Sequence, residues 1–365
     1  MVKRVMLLVM MVVMMLVPAT VVAQETTTAA APEGVVVGAP AEGPLVPLLT
    51  APPAQVQAPA PRVDAGGRRR PSMVGYVNDS TIRSQFRIRF DAGYEIGSAD
   101  RAEFFYGKCG CYAGLPADLD IFDPDAPGPG PGILSNGNFQ QLYLLGEYGF
   151  MENRASLFAE LPFRWLKPQE FIPGTGGFDD ASGLSDVRVG AKLNLMSTDN
   201  GQATALLQFG LPSGDSEKGL GTNHGSIEPA LLIGQRVGDR AGVEAQFGGI
   251  FPVGGSAGLP TANEKKFAGR VLYYGLGTSY DVVSSDTVRV APVVELVGWR
   301  VMSGFMTVCE GAPCFAEADG NIVNLKIGAR VVMQGLSSIY VGYGKGLTDR
   351  HWYDEIFRVE FRRYF

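Results

Sequence analysis

The sequence predicts an all-β fold, a transmembrane antiparallel β-barrel of about twelve strands behind a disordered N-terminal segment. Three observations predict it. Apolar and polar residues alternate with period two along segment after segment. The connections between those segments are alternately short and long. Charged side chains collect on one face of the segments and large apolar ones on the other.

The start of the chain reads as an export signal. "MVKR" supplies positive charge, Val5 to Val17 is an unbroken apolar run, and Val21 to Ala23 offers small residues for cleavage before Gln24. A membrane helix needs about 20 apolar residues, and Pro18 ends this run early. Residues 1–23 are therefore expected to be a signal peptide. No later run is long enough to span as a helix, so membrane residence falls to strands. Residues 24–80 are rich in Ala, Pro, Thr, Val and Gly, with little to pack, and are expected to be extended and disordered. That stretch reads as a spacer or a periplasmic tether, and "GRRRP" at residues 67–71 as a polar clamp or a solvated basic patch. The formal net charge of −6 argues against nucleic acid as a partner. With His224 and His351 the only histidines, no His-based metal cluster is possible, and no cofactor is expected.

Residues 81–365 hold the strands. In "FRIRFDAGYEI", Phe86, Ile88, Phe90, Ala92, Tyr94 and Ile96 share one face, with Arg87, Arg89, Asp91 and Glu95 opposite. "ASLFAELPFRW" separates Leu157, Leu161 and Phe163 from Glu160 and Arg164. "DVRVGAKLNL" separates Val189, Leu193 and Leu195 from Asp186, Arg188 and Lys192, with Leu193 expected near the lipid midplane. "VNLKIGARVVM" separates Leu325, Ile327 and Val331 from Lys326 and Arg330. Further strands are expected near 139–150, 202–212, 226–237, 242–252, 267–281, 287–301, 337–345 and 352–365.

Short turns such as "MENR", "STDNG" and "GDRA" follow the even strands, and long Gly/Pro-rich loops follow the odd ones. Sorting of loops by length over an even strand count is the layout of an outer-membrane barrel. A soluble sandwich has no enclosed polar side, whereas a barrel in lipid turns its apolar face outward and encloses the charges. Lipid offers no hydrogen bonds to the backbone, so the sheet must close and the last strand must pair with the first. This accounts for the ending "EIFRVEFRRYF", in which Phe357, Val359, Phe361 and Phe365 occupy alternate positions up to the last residue.

That ending resembles the C-terminal signal that outer-membrane barrels present to the insertion machinery, and departs from it at Arg363. "GLSDVRVGAKLNL" and "LPSGDSEKGLGTNHGSIEPALLIGQRVG" resemble the outer-membrane transporter-like family named for the MetA pathway of phenol degradation. Gly183, Asp186, Leu211, Pro212, Gly214, Asp215, Leu220, Gly221 and Thr222 match its motifs. Ser213 replaces the usual Thr, and Asn223 stands where Gly is common. The resemblance implies an outer-membrane channel that passes small molecules, with a leaning to hydrophobic or aromatic ones.

The enclosed polar face is the candidate functional site. Its expected lining is Arg87, Arg89, Asp91, Glu160, Arg164, Asp186, Arg188, Lys192, Glu228, Arg236, Glu295, Lys326, Arg330, Arg358 and Glu360. Such residues form a charged channel or a salt-bridge lattice that stabilises a nearly plugged core. The four cysteines, Cys109 and Cys111 in one external loop and Cys309 and Cys314 in another, suggest disulfides in an exported protein. They allow three connectivities; a Cys109–Cys111 bridge would be strained by its short span, while Cys309–Cys314 is geometrically easy. His224 and Ser226 form a His-x-Ser that is similar to outer-membrane phospholipases, but the Asn-Gly that follows there is Ile227 and Glu228 here. Trp165, Trp299, Trp352 and Tyr353 fit an interfacial girdle. The expected partners are the bilayer, the insertion machinery and a small solute. A channel is the leading reading, ahead of a non-conducting structural or surface-interaction barrel, with an esterase third.

Overall fold

Each alternating segment is a strand in the structure, a computed structural model that describes residues 70–97, 99, 105–119, 121–254, 266–307 and 316–365. The expected signal peptide, the Ala/Pro-rich stretch up to residue 69, and Cys309 and Cys314 lie outside the described residues. The strands are β1 (Gln85–Tyr94), β2 (Leu134–Phe150), β3 (Ala155–Phe171), β4 (Val187–Ser197), β5 (Gly201–Leu211) and β6 (Gly225–Val237). They continue as β7 (Ala241–Val253), β8 (Val271–Tyr280), β9 (Val288–Val301), β10 (Gly320–Met333), β11 (Ser337–Gly346) and β12 (Glu355–Tyr364). Each pairs antiparallel with the next, and β12 pairs with β1 through ten residues, from Gln85 opposite Tyr364 to Tyr94 opposite Glu355. The ring of twelve is closed.

Turns at 151–154, 198–200, 238–240, 281–287 and 334–336 line one rim, and the long loops line the other. The last backbone N–H, that of Phe365, donates to Ser84 at 3.0 Å, and Tyr364 donates to Leu336 at 2.8 Å. The C-terminus is thus sewn to both neighbouring strands. Arg363 points outward at this turn rim and donates to Ser337 Oγ at 2.8 Å. A long cationic side chain at that depth reaches the interface, which makes the departure from the usual apolar residue inexpensive.

The outer face is apolar. Phe86, Ile88, Leu161, Phe163, Leu207, Phe209, Leu231, Ile233, Phe247, Leu276, Leu296, Ile327, Val341 and Phe357 all stand exposed on it. Leaving one such side chain in water forgoes about 1.5–3 kcal/mol. Soluble monomers rarely expose a contiguous apolar patch larger than a few hundred Å², so a belt of this kind marks a surface that meets lipid. No helix among the described residues is long and apolar enough to cross a membrane. The protein is a closed outer-membrane β-barrel.

The interior departs from the expected domain limits. Residues 70–80, expected to belong to the disordered segment, run with residues 81–83 inside the ring as a strap, and Met73, Val74, Val77 and Ile82 are buried there. Met73, Val74 and Val77 pack on Ala291, Val293, Val297, Val332 and Tyr340 of the β9–β11 wall. Glycines make room. A Cβ at Gly75 would meet the Tyr340 ring at 2.2 Å, and one at Gly277 would stand 2.7 Å from Val74. Composition gave no warning, because the wall supplies the apolar partners that this short stretch lacks.

Two aromatic assignments are also corrected. Trp352 and Tyr353 do not form a girdle but are buried with Ile96, Phe105, Tyr106, Phe139 and Leu166, under the first external loop. Trp299 lies on the inward face and packs against Trp352 with the rings tilted at 49° and their centroids 4.6 Å apart. Trp165 has the outward parity of β3, and Tyr94, Tyr343 and Phe357 pack together on the outside. The register pairs Leu193 with Ala155, the first residue after a turn, so Leu193 lies near the turn rim and not at the midplane.

Depth on the lipid face sets the price of a charge. Leu207→Arg, at mid-strand in β5, should lower unfolding stability in detergent or lipid by ~2–4 kcal/mol, and Leu193→Arg near the rim by ~0–1 kcal/mol. Equal losses at the two sites would contradict this placement.

Candidate functional site

The strap divides the lumen. Residues 73–77 fill the side along β9 to β12, and residues 78–81 cross to β5 and β7. Glu295 of β9 accepts from three successive strap amides, those of Gly75 (3.1 Å), Tyr76 (2.8 Å) and Val77 (2.7 Å). Arg330 of β10 donates to the carbonyls of Met73 (3.0 Å) and Val74 (2.8 Å), and Arg358 of β12 to that of Gly75 (2.6 Å). Across the barrel, Thr204 donates to Ser80 O at 2.7 Å, and Gln246 accepts from the Asn78 amide at 2.8 Å. The strap has no sheet partner, so wall side chains satisfy its backbone instead.

The charges that hold it are themselves paired. Arg358 grips Asp91 with two 2.7 Å bonds across the β1–β12 seam. Glu360 accepts from Arg330 at 2.6 Å and from Arg362 at 2.7 Å, and Arg362 reaches Asp79 of the strap at 3.0 Å. Lys326 donates to the Tyr353 hydroxyl at 2.9 Å and lies over the Tyr76 ring. Burial pushes the Tyr353 phenol above its ordinary range, so Lys326 faces a neutral hydroxyl. Glu295, Lys326, Arg330 and Glu360 therefore face inward against the strap and the closing seam rather than open space, while Arg358 both grips the strap and borders the cavity described next.

The other side of the lumen is open. A cavity of about 300 Å³ runs between the strap and the β1–β8 wall. Arg87, Arg89, Asp91, Glu160, Arg164, Asp186, Arg188, Lys192 and Glu228 line it, with Tyr143, Phe158, Tyr273 and Trp299. Two rings lie flat because the wall beneath them is glycine. A Cβ at Gly190 would meet Phe158 at 2.5 Å, and one at Gly248 would meet Tyr273 at 2.5 Å. A second cavity of about 120 Å³, at the turn rim, is lined by Arg70, Ser72, Thr81, Gln202, Arg236 and Glu244. Arg236 thus belongs to this mouth. The strap at 78–81 lies between the two spaces, since Asn78 and Asp79 border the large one and Thr81 the small one.

The external end is roofed by loops. Arg164 donates to Gln141 and to the carbonyls of Phe105 (3.4 Å) and Gly219 (3.5 Å), tying two loops to β3. Tyr112 packs on Phe267 of another loop, and a buried Lys108–Asp123 pair at 2.5 Å ties the first loop to itself. Cys109 and Cys111 lie side by side within this loop, with Cα atoms 5.2 Å apart.

Asp186 has a second task that spacing alone did not reveal. Its carboxylate accepts from the Gly214 amide (3.0 Å), the Thr222 amide (2.8 Å) and the Thr222 hydroxyl (2.8 Å), folding residues 213–222 back on the strand start. Ser213 keeps the hydroxyl that the usual Thr would supply. It accepts from Val187 N at 2.8 Å and donates to Ser185 O at 3.2 Å. A Cβ at Gly221 would stand 2.7 Å from that carboxylate. Asn223 has φ of 58°, a left-handed backbone that Gly and Asn adopt most readily. The matching residues thus build one capped loop.

The His-x-Ser pair is arranged differently from a nucleophile and its base. Ser226 donates to Glu228 at 2.7 Å, and His224 Nδ1 meets the Thr222 carbonyl at 2.8 Å. Glu228 also accepts from Gln208 at 2.6 Å. No group of His, Cys, Asp and Glu among the described residues is arranged to hold a metal ion.

Two outcomes follow from these contacts. Asp186→Ala strands two amides and a hydroxyl, at about 1–3 kcal/mol. It should make residues 212–224 protease-sensitive in an intact barrel, and unchanged protection would contradict the capping role. Replacing residues 72–82 by a Gly/Ser linker of equal length should raise single-channel conductance several-fold. Unchanged conductance would mean that the strap does not fill the lumen.

Comparisons with known proteins agree with the motifs. Residues 143–251, from mid-β2 to late β7, match the family described as "Putative MetA-pathway of phenol degradation". Among solved structures, an outer membrane channel from Pseudomonas putida F1 is similar at 13% identity and a TM-score of 0.49, over 80% of this chain and 99% of that one. The beta domain of the Bordetella autotransporter BrkA is 11% identical at a TM-score of 0.45, over 78% of this chain and 100% of that one. The NanC porin is 9% identical at 0.42, over 76% and 99%. No curated protein matches. Across β2 to β7 this barrel matches the family that its capped-loop motif resembles.

Proposed function

We propose that this barrel is a narrow outer-membrane channel for small molecules, with a preference for those that carry an apolar or aromatic body. The observation that carries the reading is the cavity of about 300 Å³ beside the strap, which extends from Lys192 and Glu147 near the turn rim to Trp299 and Trp352 under the external loops. Its volume sits at the small end of the about 300–1,000 Å³ usual for ligand pockets. The mixed lining of paired charges and flat aromatic rings suits a solute with an apolar body and one or two polar groups. A twelve-stranded ring is intermediate between filled eight-stranded barrels and open porins. Filling one side of it with a strap leaves a bore for small solutes.

A second reading, a non-conducting barrel whose loops meet a surface partner, draws on the same strap and on the inward-folded first loop. Liposome swelling separates the two. Purified barrel in liposomes should admit small solutes such as glycine and benzyl alcohol and exclude a trisaccharide. A correctly folded barrel that admits none of them would overturn the channel reading and favour the interaction barrel.

A further inference from the structure

Six cations and six carboxylates line the open side, and one of the cations, Arg188, is set apart from the rest. Three guanidinium groups, Arg87 and Arg89 on β1 and Arg188 on β4, converge on one carboxylate, Glu160 of β3. Arg87 bonds it at 2.8 Å, Arg89 lies 3.6 Å away and Arg188 3.9 Å away. The nearby carboxylates are engaged as well. Asp91 is held at two points by Arg358 and also lies 3.5 Å from Arg89, and Glu360 lies 3.8 Å from Arg87. Asp186 caps the external loop, and Glu228 takes Gln208 and Ser226. Arg87 and Arg89 thus each have a second carboxylate, and Arg188 is paired at 3.9 Å with Glu160. Arg188 is the exposed member of the set, with 40% of its side chain accessible against 14% for Arg87 and 12% for Arg89. Its fork of donors faces the cavity and makes no hydrogen bond to the described residues.

An aromatic face lies beside that fork. Glu160 pairs with Arg188, and two residues along, Phe158 pairs with Gly190. Phe158 and Arg188 therefore stand on the same inner face about 7 Å apart along the strands. Tyr143 lies under the Arg89 guanidinium at 3.6 Å and adds a second ring. A flat apolar body resting on Phe158 would present a carboxylate to Arg188 and Arg89, which suit two-point binding of that group.

We propose that this cluster is an anion-selecting site, and that the solute it favours is a small organic carboxylate with a planar apolar body. This rests on the channel reading above and specifies its solute. Glu160 is part of the device. It keeps the three cations folded together, and it competes with an arriving carboxylate, so the solute is exchanged and not trapped.

Planar bilayers holding the full barrel test this, with sodium benzoate as the probe. Under a potassium chloride gradient, reversal potentials should show chloride favoured over potassium several-fold. Benzoate should reduce the chloride current saturably, and benzyl alcohol should not. Arg188→Ala should bring the permeability ratio close to one and remove the benzoate effect. Arg188→Lys should keep the anion preference but weaken the benzoate effect, because an ammonium lacks the fork. Glu160→Gln should raise the anion preference. Heat-dependent gel migration would show that each variant is folded. A conducting barrel that prefers cations, or whose selectivity Arg188→Ala leaves unchanged, overturns the site while leaving the channel reading in place. Absence of any conductance removes both.

Discussion

Everything here depends on closure of the ring in a medium that gives the backbone no hydrogen bonds. A transmembrane strand must find both neighbours, so β12 has to meet β1 through its full length. Closure separates two solvents. Outside, alternate positions become a lipid-facing belt. Inside, the other positions are cut off from bulk water and must satisfy one another. The Asp91–Arg358 pair spans the closing seam itself, and Glu360 on the same strand gathers Arg330 and Arg362. Removing one partner from such a buried pair typically costs about 3–5 kcal/mol, because the other charge is left uncompensated.

The enclosed lattice also explains how an irregular segment can lie inside the barrel. A strap with no sheet partner would leave its amides and carbonyls unpaired. Glu295, Arg330 and Arg358 supply the donors and acceptors that water would supply elsewhere. The same side chains therefore stabilise the wall and hold the occluding segment. The strap fills the lumen along β9 to β12, and the charges on β3 and β4 border the remaining cavity, with Arg188 the most open to it.

Much of this was legible in the sequence. Period two in "FRIRFDAGYEI" and "EIFRVEFRRYF" predicted which side chains point inward, and the structure pairs those two segments residue for residue. Loop sorting predicted the two rims. What alternation cannot carry is register and depth, so Leu193 was expected at the midplane and lies beside a turn. Composition also failed at residues 70–80, since a segment with few apolar residues can be ordered when the partner surface is already built. Trp352 and Tyr353 were misplaced for a related reason: an inward-folding loop creates a dry site at the barrel mouth that strand periodicity does not describe. The Asp186 motif was visible as a pattern, but its physical content needed the contacts to Gly214 and Thr222.

The central claim is that a passage runs beside the strap while the strap stays in place. A disulfide between strap and wall tests this directly. A Cβ built at Gly277 lies 3.5 Å from the Val74 Cβ, within the range that a disulfide spans. In a Val74→Cys/Gly277→Cys barrel, single-channel conductance should be the same with that bond formed or reduced. Conductance that disappears on oxidation and returns on reduction would contradict the account, because solute would then move only when the strap leaves the lumen.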